Sequence, residues 1–503
     1  MIKNFIKAAS ILFLIVVTLT PALAQQDKEL RLEIPVKPSA PKPELIAMGE
    51  QGFILVNKNY GVEDGERTIY IEKYDAKFEK NWQNEIKYNK KLRLGRYEYF
   101  EDLTTLYMIF NEDSREELQV FRINAITGHI DEYNFYYLSR LTINNFTVDD
   151  NILYAAGTLK RQPVALALNL NTNRVSPIPS VYDGKSVFIQ DIRNVNDKEI
   201  GLTVSLEQNR RRMIILRTFR KDKTNSFNDL RIQPEPEYDL INAKASKLAN
   251  GNKKIVIGTF GFRNNENSQG FYFSRYNSNG DQDYIKYHSF TDLDNFFSFL
   301  DEKQRIKTEL RAERKKQKGK DLKVQYRLLV HDVIDSDDQY IMIGEAYYPV
   351  YRTERINNFY GRRNYQTRLI FDGYQYTHAV IAGFDKQGEL VWDHSFKIED
   401  VKSFTLKERV KLNLEDTNLT LLYNLEGKIN RLEIADGEIV DEEEDLELAS
   451  KYDSDQIKFA DLGESEYWYK NYFLAWGYQR IKNQQNEASK KKRSVFYVNK
   501  LSF

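Results

Sequence analysis

The densest group of side chains able to do chemistry lies in the run YYPVYRTERINNFYGRRNYQTR, from Tyr347 to Arg368. Tyrosine and arginine together point to recognition rather than bond breaking. Tyr buries a large area at modest loss of conformational freedom, and Arg supplies directional hydrogen bonds. Tyr rings also stack on sugar rings. The residues expected to contact a partner are Tyr348, Tyr351, Arg352, Arg355, Tyr360, Arg362, Arg363 and Tyr365. The competing use of the same residues is packing of an aromatic hairpin on its neighbour.

No catalytic constellation stands beside this run. The sequence has no G-x-S-x-G, no H-E-x-x-H, no P-loop and no Cys–His pair. Of five histidines, three (His331, His378 and His394) fall in one repeat, with Asp332 and Asp393 adjacent to two of them. Neighbouring strand residues point to opposite faces, so these histidines are read as hydrogen-bonded structural groups, and neither a metal nor a cofactor is expected. The turn Asn277 to Asp283 alternates oxygen side chains as calcium loops do but lacks the bidentate Glu, and Asn-Gly serves equally as a hairpin turn. The acidic runs Asp335 to Asp338 and Asp441 to Asp445 read as solvated loops. KQRIKTELRAERKKQKGK reads as a solvated basic helix, with a surface for an anionic or protein partner as its other use.

The elements that must position these residues are hairpins. YTHAVIAGFDKQGELVWDHSF, from Tyr376 to Phe396, is the clearest copy: an apolar run, a tight polar turn and a second apolar run. FILVN with TIYIEKYD, LYMIF with LQVFRINAITG, ILYAAG with VALALNLNTN, and IGLTVSL with MIILRTF are earlier copies. KIVIGTF with FYFSRYNSNG, LTLLYNL with INRLEIADG, and YFLAWGY with SVFYVNK complete the set. A spacing of roughly 50 residues with four strands per unit predicts an all-β propeller of about eight blades, with seven as the alternative count. A linear solenoid or tandem sandwiches would use the same hairpins.

Two insertions interrupt the spacing. In 291–322, Thr291 followed by Leu293, Phe296, Phe297 and Leu300 predicts a helix start with an apolar stripe before a charged helical stretch. The second insertion is the Tyr/Arg-rich segment 348–374. The last copy lacks an outer strand, and Leu30 to Val36 can supply it, removing an exposed edge. At the N-terminus, Lys3 and Lys7, the run AASILFLIVV and Ala22-Leu23-Ala24 predict a signal peptide over 1–24. Residues 25–42 then read as a linker carrying the closing strand, and 43–503 as the propeller. No transmembrane segment is expected after cleavage.

Lys plus Arg and Asp plus Glu both number 74, which removes a global electrostatic case for nucleic acid. There is no cysteine, so stability rests on packing rather than disulfides.

Some turns resemble the blade motif of quinoprotein-type propellers, in which an acidic or amide residue precedes Thr-Gly and, four residues on, Trp. Asn124, Thr127 and Gly128 keep its first half, Gly388 and Trp392 its second, and Asn171-Thr172-Asn173 puts Asn where Gly stands. YRLLVHDVI, GEAYYPVYRT and FDGYQYTHAVIAGFDKQGELVWDHSF are similar to a group of exported bacterial propeller proteins. Both resemblances imply the fold and not a chemistry. The cysteine pair common in quinone-dependent dehydrogenases is impossible here. The expected function is a non-catalytic exported scaffold, periplasmic or secreted, engaging a protein or glycan of the cell envelope through the inserts on one face. A carbohydrate-active hydrolase or lyase with carboxylates in the central channel is the alternative, and a purely structural envelope role is a third.

Overall fold

The computed structural model describes residues 30–38, 40–112, 115–136, 141–160, 162–178, 187–208, 210–245, 254–263, 265–277, 279–319, 322–336, 338–356, 366–483 and 491–503. Eight antiparallel sheets follow one another along the chain. They are the blades of an eight-bladed propeller. Its innermost strands are Glu44–Ala47, Arg93–Phe100, Leu141–Asp149, Val187–Asn196, Tyr238–Ala245, Arg327–Val330, Lys411–Glu415 and Glu464–Tyr469.

The second strand of each blade carries the architecture, because it is covered on both faces. In Thr105–Asn111, TLYMIFN, every residue is buried. Leu106, Met108 and Phe110 point into the cluster shared with blade 1, while Tyr107 and Ile109 point into the cluster shared with blade 3. The period of two thus sends alternate side chains of one strand to two different interfaces. The same division recurs in Gln339–Ile356, where Met342 faces blade 5 and Ile341 and Ile343 face blade 7. This double burial explains why these strands read as unbroken apolar runs.

Tryptophans and tight turns lock blade to blade. Trp82 at the rim of blade 1 donates from Nε1 to the Ala125 carbonyl of blade 2 at 3.2 Å, against Gly128, whose φ is 74°. A Cβ at Gly128 would lie 2.9 Å from the Trp82 ring, so both the conformation and the space demand glycine. The Trp392 ring of blade 6 likewise packs on Gly437 of blade 7, while its Nε1 donates to Gln339 of its own blade at 2.8 Å. Asn173, the substitute for Gly in a third turn, has φ 53°.

The ring closes through both ends of the described chain. Arg31–Pro35 pairs antiparallel with Lys492–Ser502, Arg31 opposite Asn499 and Pro35 opposite Val495. Blade 8 then packs on blade 1 through Trp468, Leu474, Trp476, Phe496 and Val498 against Leu45, Phe53, Leu55 and Tyr74.

The insertion between blades 5 and 6 departs from the sequence expectation. Its helix spans Glu302–Lys316, is preceded by Asp301 rather than Thr291, and buries no residue. Leu293, Phe296 and Phe297 are buried, but in turns. The reason is a local clamp: the Asp393 carboxylate accepts the backbone N–H groups of Asp294 at 2.8 Å and Asn295 at 2.9 Å, and Phe296 stacks on Phe290 at 4.6 Å. Turn residues pressed on a sheet can match helical spacing without a helix. The acidic run at Asp441 is likewise not a loop; it lies in the exposed strand Glu438–Glu447 at the rim of blade 7.

Candidate functional site

The hairpin of blade 6 is far longer than its counterparts. Gln339–Ile356 and Gln366–Asp385 stay paired from Gln339 opposite Asp385 to Ile356 opposite Gln366. At about 3.3 Å per residue, the portion beyond Tyr347 projects roughly 30 Å past the sheet. Tyr348 and Tyr351 on it are 52% and 56% exposed. Arg352 reaches Asp372 at 3.8 Å, and Asp372 is held by Lys402 at 2.9 Å. Arg355 lies in the paired strand, opposite Thr367. Tyr360, Arg362, Arg363 and Tyr365 fall outside the described residues.

Aromatic rings run down this hairpin to the propeller. Tyr351 meets Phe371 at 5.9 Å, Phe371 meets Tyr374 at 4.9 Å, and Tyr374 meets Tyr347 at 5.6 Å. Phe371 also meets Phe404 at 6.3 Å. Phe404 follows the short strand Lys402–Ser403, which pairs with Tyr374 and Gln375 at the hairpin base. Its ring is 69% exposed, and it forms part of the wall of a cavity of about 810 Å³.

That cavity is the mouth of the central channel. Its walls come from the innermost strands of blades 1, 2 and 8 and the segment Lys402 to Arg409 that enters blade 7. A second cavity of about 650 Å³ adjoins it and shares Arg96, Tyr97, Lys407, Glu464 and Trp476; Asn145 of blade 3 and Leu329 of blade 6 also line it. Charge pairs cross between blades. Lys42 holds Asp461 of blade 8, and within blade 1 Lys58 holds Glu44, each at 2.5 Å. Lys407 and Arg409 share Glu464 at 2.7 and 3.1 Å, and Lys411 holds Glu466 at 2.9 Å. Burial alone would lower the Lys411 ammonium; the Glu466 carboxylate outweighs it and raises the group.

Two channel residues stand apart from this pairing. The inner strand of blade 2 carries a bulge at Gly95, between the Leu94–Phe110 and Arg96–Ile109 pairs. A Cβ there would lie 2.4 Å from the Asn111 carboxamide oxygen. Such a bulge re-aims the side chains that follow, here Arg96 and Glu98, both exposed to the channel. Confinement is the main cause, and the Asp191 carboxylate the second, that pushes Glu98 up to about 7.

Behind the channel wall lies a buried polar knot. Glu345 is fully buried and accepts from the backbone N–H of Arg409 at 2.9 and 3.0 Å and of Val410 at 2.9 Å. His331 Nε2 lies 2.7 Å from the same carboxylate. A carboxylate only accepts, so Nε2 carries the proton. Nδ1 of His331 is 4.0 Å from Glu408, which lines the channel. Glu345 thereby sets the position of the segment that delivers Lys407, Arg409 and Lys411.

The three grouped histidines do not converge. His394 Nε2 bonds the Gly437 carbonyl at 2.7 Å, and His378 is sealed under the insertion, stacked on Phe299 at 3.6 Å. Among the described residues no group of three or more His, Asp or Glu side chains could hold a metal ion. In the Asn277 turn, the carboxamide oxygen of Asn277 accepts from Asn279 and Asp281 N–H, and Asp283 pairs with Arg275 at 3.1 Å.

Burial holds His378 down at about 3. An unfolded histidine titrates near 6.5, so the unfolded chain binds the extra proton first. Stability is therefore complete above about pH 6.5 and falls by about 1.4 kcal/mol per pH unit as acid is added, down to the folded value. His378→Phe keeps a ring in the stack and removes the group that titrates in the unfolded chain. Urea denaturation should show the wild-type chain losing about 2 kcal/mol more than the variant between about pH 6.5 and pH 5; equal losses would contradict the assignment.

Sequence reasoning found the hairpin and named the central channel as the alternative site, but not the residues that line it. Arg96, Glu98, Lys407, Lys411 and Glu464 come from different blades and share no motif. The one local signal was a glycine in the charged strand RLGRYEYF, the mark of a bulge.

No protein-family profile matches the chain, and no curated protein matches its sequence. In shape it is similar to a prolyl endopeptidase, with a TM-score of 0.41 and 8% identity, over 88% of this chain and 54% of the other; the chain spans about half of that protein's length. It is also similar to a periplasmic gluconolactonase from Pseudomonas aeruginosa, with a TM-score of 0.40 and 9% identity, over 81% of this chain and 96% of the other. A Synechocystis apocarotenoid oxygenase gives a TM-score of 0.31 and 5% identity over 50% of this chain. At such identities and scores these likenesses say nothing of substrate or reaction.

Proposed function

We propose that the chain is an exported, non-catalytic binding scaffold that engages an extended glycan or peptide of the cell envelope across the channel mouth and along the blade 6 hairpin. The observation that carries this reading is the row of touching rings Tyr351, Phe371 and Phe404, with Tyr374 against Phe371, which ends on the wall of the 810 Å³ cavity. Tyr351 and Phe404 are exposed and Phe371 and Tyr374 half-buried; aromatic rings so placed give stacking surface to sugar rings or apolar side chains. The carboxylates Glu44, Glu464 and Glu466 are already held by cations, which suits a fixed wall better than acid–base work. Export rests on the N-terminal residues 1–24, which lie outside the described residues; among those described, no helix is long and apolar enough to cross a membrane.

One observation favours a second reading, a hydrolase. Glu98, pushed up to about 7, is suited to a general acid at neutral pH. Both readings meet the same experiment. Labelled envelope polysaccharide is titrated with the full chain and with a variant whose segment 351–371 is replaced by a short turn, and the saccharide is then sized. The scaffold reading expects intact saccharide and an affinity lowered about tenfold or more in the variant. Unchanged affinity would overturn it, and shortened saccharide, abolished by Glu98→Gln, would establish the second.

A further inference from the structure

We infer that the channel mouth is an anion subsite centred on Arg96, and that the ligand is an acidic oligosaccharide whose rings carry carboxylate or phosphate groups. This rests on, and deepens, the binding reading above.

Charge is distributed unevenly along the channel. Six cationic side chains line the outer cavity against three carboxylates, Glu44, Asp461 and Glu464. The deeper cavity reverses the balance, with Glu98, Glu408, Glu464 and Glu466 against three cations. A low-dielectric wall concentrates such a field, so an anionic group is drawn to the mouth and repelled farther in.

Within the mouth, the cations are not equivalent. Lys42, Lys58, Lys407 and Arg409 each hold a carboxylate of a neighbouring strand, and Lys402 holds Asp372. Among the described residues the Arg96 guanidinium has neither an ion pair nor a hydrogen-bond partner, although it lines both cavities. It follows the Gly95 bulge, where a Cβ would crowd the Asn111 carboxamide oxygen at 2.4 Å. A planar fork of N–H donors with no internal acceptor matches a carboxylate or phosphate in bidentate fashion. Beside it in the same wall stand the exposed rings of Tyr97 and Phe404. Cation and ring faces together select a sugar bearing an anionic group over a free anion, which the rings do not recognise, and over a neutral sugar, which leaves Arg96 unpaired.

The test uses the full chain, the variant Arg96→Gln and three probes: oligogalacturonate, its methyl ester and phosphorylated maltooligosaccharide. Oligoglutamate serves as the peptide control. Arg96 is exposed, so its replacement leaves the fold intact, which a thermal melt confirms. Expected is binding of one or both acidic sugars, weakened about tenfold or more by Arg96→Gln and by esterification, and weakened by added salt. Which acidic sugar binds tells carboxylate from phosphate. Equal binding of ester and acid, or no effect of Arg96→Gln, would overturn the anion subsite while leaving glycan binding standing. Arg96-dependent binding of oligoglutamate alone would overturn the sugar class. Failure of every probe to bind would overturn the inference, whereas the scaffold reading is judged separately, by the envelope polysaccharide titration with the shortened hairpin.

Discussion

Replacing Glu33 with Ala is expected to destabilise the folded chain by about 3–5 kcal/mol, the usual effect of stripping one partner from a buried ion network. Glu33 lies in the strand Arg31–Pro35 that completes blade 8. Its carboxylate holds Arg31 at 3.0 Å and Arg493 at 2.9 Å, and Arg493 also grips Asp455. The side chains of Arg31, Glu33 and Asp455 are 4%, 5% and 0% exposed, too dry for the screening that makes surface pairs nearly worthless. Burial pulls the Arg31 guanidinium down, with the Glu33 carboxylate acting against it. Without Glu33, Arg31 keeps Gln479, Asn499 and the Ala449 carbonyl, but Arg493 loses half its acceptors. A freed closing strand also exposes the edge of Lys492–Ser502, an open template for another chain. Urea titration should show the loss, and size-exclusion chromatography should show self-association. A change below about 1 kcal/mol would mean that the network is as weak as an exposed pair.

The second large effect is expected from Glu345→Leu. The change removes the acceptor from three buried donors, the N–H groups of Arg409 and Val410 and His331 Nε2. Each orphaned donor costs about 1–3 kcal/mol, so denaturation should record a loss of about 3–5 kcal/mol. Glu345→Gln retains one accepting oxygen and should lose about half as much. The effect should extend to the site, because Glu345 anchors the segment carrying Lys407, Arg409 and Lys411. Affinity for any channel ligand should fall with stability. A stable variant with unchanged affinity would show that this segment is held by its strand pairing alone.

The blades were legible in the sequence and the site was largely not, for a physical reason. A strand covered on both faces is apolar almost throughout, so LYMIF and YIMIGEA announce themselves, with Glu345 the exception in the second. Turns that need a left-handed residue show Gly128, Asn173 or Gly388. Leu293 to Leu300 misled because burial of turns beneath a blade produces the spacing of a helix. The Tyr/Arg run was visible because its residues are consecutive, and Tyr348, Tyr351 and Arg352 are placed on an exposed hairpin. Arg96, Glu98, Lys407 and Glu464 are brought together only by ring closure, and a charged inner strand reads locally like any solvated edge. Only Gly95 hinted at their placement.

The central claim, that hairpin and channel mouth form one binding surface, is tested most directly at its junction. Phe404 is exposed on the cavity wall and touches the hairpin through Phe371, so Phe404→Ser alters the surface without opening the core. The measurement is the dissociation constant of labelled envelope polysaccharide for the full chain, for Phe404→Ser and for Phe404→Ser combined with the shortened hairpin. One surface predicts that Phe404→Ser alone weakens binding about tenfold and that the combined loss is smaller than the product of the two separate losses. An affinity untouched by Phe404→Ser, or losses that simply multiply, would contradict it.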